Sequence, residues 1–420
     1  MNKTHQYVPP CSSGESLSWV TVREAGEDRL RAGHPWIFRG HVRDERSPAP
    51  GTLVGLRNAR GKTLAWGFWS AGALCFRALV FGETPPCISD VLRQRLRDAL
   101  AWRKRWSGHR DAFRWVHGEG DGLSGLVVDV YGDVASVQLL TSGWSQRRQL
   151  VVDALRDTFP LCGVVLRNDG RHLEREGLVF ERSVLWGKIP EEGFQQVRIG
   201  RVKERIALLG GQKTGIYLDV QNVPDVLSPA LADARMLDVF CFQGHFALHA
   251  LLDGAREVVA VEQSAEALEQ ARRNRELNGL PDRVSWLEGN AFDILRQLES
   301  QRQRFHVVVM DPPPFAPGKD RREGARRGYK ELALRAFRLL EDEGTLLFLC
   351  CSHAFTPADL LETLGEAARD AGVTCRIARE IVQPADHPAS PHIPESRYFS
   401  GFLLGVSREF SPSRSEKTTR

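Results

Sequence analysis

The chain has 420 residues, 42% of them hydrophobic and 26% charged, with a net charge of +4. That length supports two or three domains with proper cores, and no apolar run approaches the roughly 18 residues of a membrane helix. The eight cysteines are scattered, with no CxxC pair and no zinc-ligand spacing, which fits reduced thiols in a cytosol better than a disulfide framework and offers no metal site. The first residues, "MNKTHQYVPPCSSGES", are polar and lack the apolar core of a secretory signal, so a cytoplasmic location is expected.

The charge is uneven. "LRQRLRDALAWRKRW" (Leu92–Trp106) carries five arginines and a lysine against one aspartate. "GKDRREGARRGYKE" (Gly318–Glu331) carries four arginines and two lysines against three acids. Basic patches on a near-neutral chain point to a polyanion at particular faces; taken singly, each also reads as a solvated helix face.

Taken in chain order, residues 1–16 are polar, Ser-rich and without periodicity, and are expected to be disordered, as is the tail at 408–420. Residues 17–84 contain "SWVTV", "GTLVGLRN", "TLAWGFWS" and "LCFRALVF", short β-rich segments split by turn residues, which predict a small β-barrel or sandwich. Residues 85–200 open with the Arg-rich helix. A hairpin follows in "GLVVDVYGDVASVQLL", then a helix in "SQRRQLVVDALRDTF" and further strands, an α+β module. In residues 201–407, "MLDVF", "EVVAVE", "RVSWLEG", "HVVVMD" and "GTLLFLCC" alternate with amphipathic helices, the pattern of an α/β domain with a parallel, doubly wound sheet. Ser264 and Thr356 are placed to cap helices, Pro357 fits a first helical position, and Gly279 and Gly372 are placed as helix stops.

"LDVFCFQGHFALHALL" is a strand running through a turn at Gly244 into a helix, and Glu262 ends the next strand, 24 residues after Asp238. The glycine lets backbone approach a ligand, and the acid suits ribose hydroxyls. The G-x-G-x-x-G of a dinucleotide site is absent. A carboxylate at Asp238 suits an ammonium group and repels a pyrophosphate, which favours S-adenosylmethionine over an NAD-like cofactor; a doubly wound domain without a ligand is the plain alternative.

"FHVVVMDPPPFAPG" places Asp311, Pro312 and Pro313 at the end of the fourth strand, where ligands of such sheets bind. The prolines lack N–H donors, so carbonyls and the Asp311 carboxylate are left to face a planar polar substrate such as a nucleobase. By itself the tripeptide is equally a strand-ending turn. The next strand ends in Cys350 and Cys351, which alternation sends to opposite faces. A cysteine at a strand end is commonly a small buried hydrophobe. Beside a methyl donor, one thiolate has a second use: adding to carbon 6 of a pyrimidine makes carbon 5 nucleophilic. Asp311 is the candidate acid at ring N3. His353 is close in sequence, but the base that removes the carbon 5 proton is not identified by these residues.

These motifs resemble the bacterial PUA-containing 23S ribosomal RNA cytosine-5 methyltransferases. The resemblance rests on "HPWIF" (His34–Phe38), "GEGDGLSGLVVDVYGD" (Gly118–Asp133), "GQKTGIYLD" (Gly211–Asp219), "LDVFCFQGHFA" (Leu237–Ala247), "MDPPPFA" (Met310–Ala316), "RGYKEL" (Arg327–Leu332), "CSH" (Cys351–His353) and "ADHP" (Ala385–Pro388). It implies a PUA-like RNA-binding domain, a central α+β domain and a class I (Rossmann-like) methyltransferase domain. It implies Cys351 as the nucleophile, with Asp311 as its catalytic partner, and Cys350 as packing. The implied cofactor residues are Asp238, Phe240, Gly244, Glu262, Gln263, Asn290, Ala291 and Asp311. The implied substrate side is Pro312, Pro313, Phe315, Lys319, Tyr329 and Arg39. The partner would be 23S ribosomal RNA, and relatives of this kind leave a homodimer open.

Three positions depart from the family pattern. His245 follows Gly244 where a second glycine is usual, which is expected to set a side chain against the methionine end of the ligand. "VQNVP" after Asp219 lacks two usual arginines, and Asn290 stands where an aspartate commonly contacts adenine; Asn can still accept or donate. Trp36, Phe38 and Arg39 suit loop RNA, while Trp36 and Phe38 are equally readable as core. Two other functions compete: a ribosome-assembly factor that kept the fold, and a methyltransferase acting on another base atom with no covalent step.

Overall fold

The computed structural model describes residues 17–408 apart from 45, 171–172, 212–214, 316–320 and 353–354. Lys319, His353, both expected disordered ends (apart from Arg408) and the middle of "GQKTG" lie outside the described residues. The chain divides into two compact units. One is Met1–Arg198, Arg205–Leu218 and Pro384–Ser396; the other is Ile199–Glu204, Asp219–Gln383 and Arg397–Arg420.

In the first unit, β1 (Ser18–Thr21), α1 (Glu24–Arg31), β2 (Trp36–Phe38), β3 (Leu53–Arg57), β4 (Thr63–Trp69) and β5 (Leu74–Phe81) build a five-stranded sheet in the order β1-β3-β4-β5-β2. Its inward residues include Val20, Ile37, Val54, Leu56, Trp69 and Phe76. A Cβ on Gly67 would lie 2.0 Å from the Arg77 carbonyl oxygen, so β4 and β5 approach as closely as they do only with glycine there.

The helix α2 (Ile88–Trp106) leads into β6 (Ala112–His117), β7 (Leu126–Tyr131) and β8 (Val134–Leu139). After α3 (Ser142–Ser145) and α4 (Arg148–Thr158) come β9 (Gly163–Asn168) and β10 (Glu181–Gly187). The second sheet runs β10-β9-β8-β7-β6, and its one parallel pair, β8 with β9, is the pair joined by helices, as a parallel crossover requires. The turn between β7 and β8 is made at Gly132, whose φ of 61° needs no Cβ.

The basic run in α2 is not one charged face. Arg103 is buried: it grips Asp121 with both guanidinium ends and also donates to the Arg114 and Asp386 carbonyls. Arg95 donates to the Gly122 and Leu79 carbonyls, and Arg93 pairs with Asp157. These arginines hold structure, and the exposed cations that remain are Arg97, Lys104 and Arg105.

The strands β11 (Phe194–Ile199) and β12 (Val202–Ala207) form a hairpin whose tip, Ile199–Glu204, counts with the second unit. That unit is built on seven strands. They are β13 (Arg235–Val239), β14 (Glu257–Glu262), β15 (Val284–Glu288), β16 (Phe305–Met310), β17 (Leu340–Cys350), β18 (Thr374–Val382) and β19 (Ser400–Ser407). Between them lie α5 (His245–Leu252), α6 (Ala265–Leu277), α7 (Ala291–Ser300), α8 (Arg321–Leu339) and α9 (Pro357–Ala371). The strand order is β15-β14-β13-β16-β17-β19-β18, parallel except where β19 runs against its two neighbours. The central strands are continuous apolar runs because helices cover both faces; Leu237, Val239, Val308, Met310, Leu346 and Phe348 are all buried in one core. Ser264 accepts from the Ala267 amide, and Thr356 makes a reciprocal capping box with Asp359. Among the described residues, no helix is long and apolar enough to cross a membrane.

Candidate cofactor and cysteine site

Strand order reverses between β13 and β16, and the crevice outside the carboxyl ends of strands at such a point is where doubly wound sheets take ligands. The turn leaving β13 is strained. Phe240 (φ 66°) and Phe242 (φ 48°) both adopt the left-handed conformation, a cost of about 1–3 kcal/mol each. The surroundings enforce it: the Phe240 and Cys241 amides both donate to the Val261 carbonyl, at 2.9 and 3.0 Å, and the Gly244 amide to the Cys241 carbonyl at 2.8 Å. Gly244 (φ 83°) has no room for a side chain, since a Cβ would lie 3.0 Å from Trp286 and 3.1 Å from Ala271. Burial pushes the Cys241 thiol well up, which leaves it inert.

Two carboxylates flank this turn. Asp238 is wholly buried; its Oδ2 accepts the Ala247 amide at 3.1 Å and its Oδ1 has no hydrogen-bond partner. Burial pushes its pKa up to about 7; the Ala247 amide opposes this, and the nearby Asp311 charge adds to it. Glu262 is anchored from both sides: Oε2 accepts the Phe242 amide at 3.0 Å, and Oε1 accepts the Gln263 and Ser264 amides at 2.7 and 3.0 Å. Its remaining lone pairs suit a pair of hydroxyls. Asn290 caps α7 by accepting the Phe292 amide at 3.0 Å, and Ala291 beside it is buried. A buried carboxylate oxygen lacking a donor, next to a strained glycine turn and a fixed second carboxylate, fits the ammonium and ribose of S-adenosylmethionine.

His245 does not stand against this crevice as the sequence led us to expect. It is buried, with Nδ1 2.6 Å from Glu204 Oε1, Nε2 3.3 Å from the Gln221 carbonyl oxygen, and its ring 4.6 Å from that of His249. His249 accepts the Arg201 amide at Nε2 and lies 2.8 Å from the His245 carbonyl at Nδ1. Burial lowers its pKa to about 3 and keeps it neutral. Glu204 carries a sequence signal: in "VKERIA" it alternates in phase with the buried Val202 and Ile206, so the acid stands on the inward side of a strand, which ends in buried Ala207. In the segment lacking the two arginines, Asp219 accepts the Tyr398 hydroxyl at 2.8 Å, a partner 179 residues away that no local pattern reveals.

At the ends of β16 and β17 the two cysteines part. Cys350 is fully buried with Sγ 3.4 Å from the Tyr329 hydroxyl, and burial pushes its thiol up. Cys351 is partly exposed, with Sγ 3.9 Å from the Pro312 carbonyl oxygen. The Asp311 amide reaches back to the Val239 carbonyl at 3.4 Å, tying this turn to the end of β13, while Pro313 and Pro314 are exposed. Asp238, Asp311 and Cys351 thus belong to one crevice edge. Tyr329 is different: it is fully buried among Phe315, Phe348 and Phe355. Burial raises its hydroxyl pKa further, and the ring supports Phe315 from behind. Arg39, on the first unit, is exposed but committed, donating to the Gly72, Ser70 and Ala71 carbonyls and lying 5.3 Å from the Trp69 ring centre. Trp36 donates to Glu119 at 2.9 Å.

A doubly wound seven-stranded sheet with these features at its carboxyl edge is the class I methyltransferase fold. The S-adenosylmethionine-dependent methyltransferase family matches residues 113–393, and a PUA-like domain matches residues 20–80. Ribosomal RNA large subunit methyltransferase I of Klebsiella pneumoniae is 35% identical over 92% of this chain and 98% of its own length. The protein of that name from Aeromonas hydrophila is 35% identical over 90% of this chain and 96% of its own. A solved protein described as a SAM-dependent methyltransferase from Streptococcus mutans superposes with a TM-score of 0.80 at 17% identity, covering 93% of this chain and all of that one. The chain belongs to the S-adenosylmethionine-dependent methyltransferase family, in the group that contains these ribosomal RNA large subunit methyltransferases.

Proposed function

We propose that the protein methylates carbon 5 of a cytosine in 23S ribosomal RNA, in the cytoplasm, through a covalent Cys351 adduct. The observation that carries this reading is the split between the cysteines: Cys351 is partly exposed beside the Asp311-Pro312 turn, while Cys350 is sealed behind Tyr329. S-adenosylmethionine, when bound, supplies an electrophilic methyl group. Asp238 and Glu262 hold its ammonium and ribose, and Phe240, Gly244, Gln263, Asn290 and Ala291 shape the rest of that pocket. The Cys351 thiolate forms an S–C bond to carbon 6, and the former double-bond pair shifts toward carbon 5 and N3. Asp311 donates a proton toward N3 as charge gathers there. After carbon 5 is methylated, its proton passes to a base, the freed pair restores the 5,6 double bond as the thiolate leaves carbon 6, and the N3 proton returns to Asp311. Pro312, Pro313 and Phe315 wall the base, with Tyr329 acting through Phe315, and Lys319 serves the RNA backbone; Arg39, its donors held by the Ser70, Ala71 and Gly72 carbonyls, adds charge to the RNA-facing side without a fixed contact. The names of the relatives support the ribosomal substrate, and a homodimer remains part of the reading, checked by the mass in solution.

Bisulfite sequencing of ribosomal RNA from cells with and without the gene tests the reaction. A single protected cytosine in 23S RNA should vanish on deletion, return with the wild-type gene, and fail to return with Cys351→Ala. An unchanged bisulfite profile would remove cytosine-5 methylation as the function.

A further inference from the structure

Trp66, Trp69, Trp115 and Trp144 are almost wholly buried, whereas Trp102 and Trp106 are 43% and 55% exposed. They lie one turn apart at the end of α2, with ring centres 5.6 Å apart and planes inclined by 44°. The residue between them that points inward, Arg103, is locked to Asp121, so the tryptophans are held on the outward side. The Trp102 indole donates to the Ala385 carbonyl at 2.7 Å, which fixes one edge of a ring that stays partly exposed. The Arg105 guanidinium lies 5.1 Å from the Trp106 ring centre, Lys104 is exposed beside it, and no acid occurs from Ala99 to Arg110. Cations near a helix C-terminus are explained by the helix dipole; two exposed, partly immobilised indoles are not.

We infer that the Trp102–Trp106 face of α2 is a stacking platform for an unpaired segment of the substrate RNA, with Lys104 and Arg105 on its phosphates. The inference rests on the RNA-methyltransferase reading and adds a site outside both the methyltransferase sheet and the PUA-like strands. Every unpaired base offers a face that an indole can cover, and fixed rings give up little entropy in doing so. A duplex offers no such faces along its length. The adjacent cations match the charge of the strand.

Anisotropy titrations of the full chain with a labelled, unstructured 12-nucleotide RNA and with an RNA duplex of equal length test this. Trp102→Ala/Trp106→Ala should weaken single-strand binding by about tenfold or more and leave duplex binding within about twofold. Trp102→Phe/Trp106→Phe, which keeps aromatic faces, should recover most of the loss, and Trp106→Ala alone, which spares the Trp102 hydrogen bond, should lose several-fold. Lys104→Ala/Arg105→Ala should flatten the slope of log affinity against log salt by about 1.4, at ~0.7 per phosphate for single strands. Melting temperature should not move in Trp106→Ala or Lys104→Ala/Arg105→Ala, which spare the Trp102 hydrogen bond, and S-adenosylmethionine affinity should not move in any variant. Wild type that binds neither RNA would overturn the substrate reading and this inference with it. Wild type that binds, with tryptophan variants binding single strands equally well, would overturn the platform alone. Unchanged RNA affinity with a shift in oligomeric mass would assign the face to a second copy of the chain, and equal losses on duplex and single strand would rule out stacking.

Discussion

Cys350 and Cys351 are neighbours on the chain and belong to two different regions of the second unit. Cys350 sits in the aromatic core under the sheet, its thiol against the Tyr329 hydroxyl and raised in pKa by burial. Cys351 belongs to the crevice edge, near the Pro312 carbonyl and the turn that carries Asp311. The aromatic core contains few polar atoms, and the hydroxyl and thiol found there face each other. The crevice edge holds an unmet buried carboxylate oxygen at Asp238 and two aromatic residues in left-handed conformations. An unmet buried carboxylate oxygen together with strained backbone is what a bound ligand can complete at the crevice edge, and among the described residues the aromatic core behind Cys350 has no such pairing of features.

The largest expected break in this comparison comes from exchanging the cysteines for alanine. Cys351→Ala should lower methyl transfer by roughly a thousandfold or more, since it removes the attacking atom. Cys350→Ala should stay within a few-fold, losing packing only. Single-turnover assays on the RNA substrate measure both, and a severe loss in a folded Cys350→Ala variant would show that the assignment is inverted.

Asp238 comes next. An ammonium ligand favours the ionised carboxylate, but the unliganded group takes up its proton near pH 7. Below that pH, binding must displace the proton, so S-adenosylmethionine affinity should fall by up to about tenfold per pH unit and level off above it. Asp238→Asn should weaken binding by roughly tenfold or more and abolish the slope. Calorimetric titrations across this range read both; a flat wild-type profile would remove Asp238 from the ammonium site.

The His245–Glu204 pair tests whether the departure from a second glycine is structural. The His245 ring is held at both nitrogens, by Glu204 at Nδ1 and by the Gln221 carbonyl at Nε2. His245→Gly, which restores the family's residue, should leave Glu204 buried and unpaired and cost about 3–5 kcal/mol of stability, seen in denaturant unfolding of the second unit. A stability gain would mean that the ring strains the turn. The smallest effect is expected for Tyr329→Phe, which removes the hydroxyl facing Cys350. We expect a loss of about 1 kcal/mol with turnover within a few-fold; a large loss of turnover at unchanged stability would return Tyr329 to the substrate side.

Much of this was legible in the chain. The central strands announce themselves as apolar runs because both faces are covered, and the caps at Ser264 and Thr356 follow local rules that tertiary structure did not override. Alternation alone separated Cys350 from Cys351. What was not legible depends on distant partners. The arginines of α2 look alike in sequence, yet Arg103 is consumed by Asp121 while Arg105 lies on an open indole. His245 was read against its own turn because Glu204, 41 residues earlier, is brought to it only by the folded hairpin. Tyr329 sits in a basic, exposed-looking run, and only the packing of α8 shows which of its residues turns inward. Pro384–Ser396 returns to the first unit after the methyltransferase strands have begun, a path that composition does not mark.

The central claim is the covalent bond from Cys351. RNA carrying 5-fluorocytidine at the target position tests it most directly, because fluorine cannot leave carbon 5 as a proton does, so methylation should strand the adduct. Incubation with S-adenosylmethionine, followed by denaturing electrophoresis, should show a slow protein–RNA band for wild type and Cys350→Ala and none for Cys351→Ala. Wild-type protein that methylates ordinary RNA but forms no such band, or a band that persists in Cys351→Ala, would contradict the account.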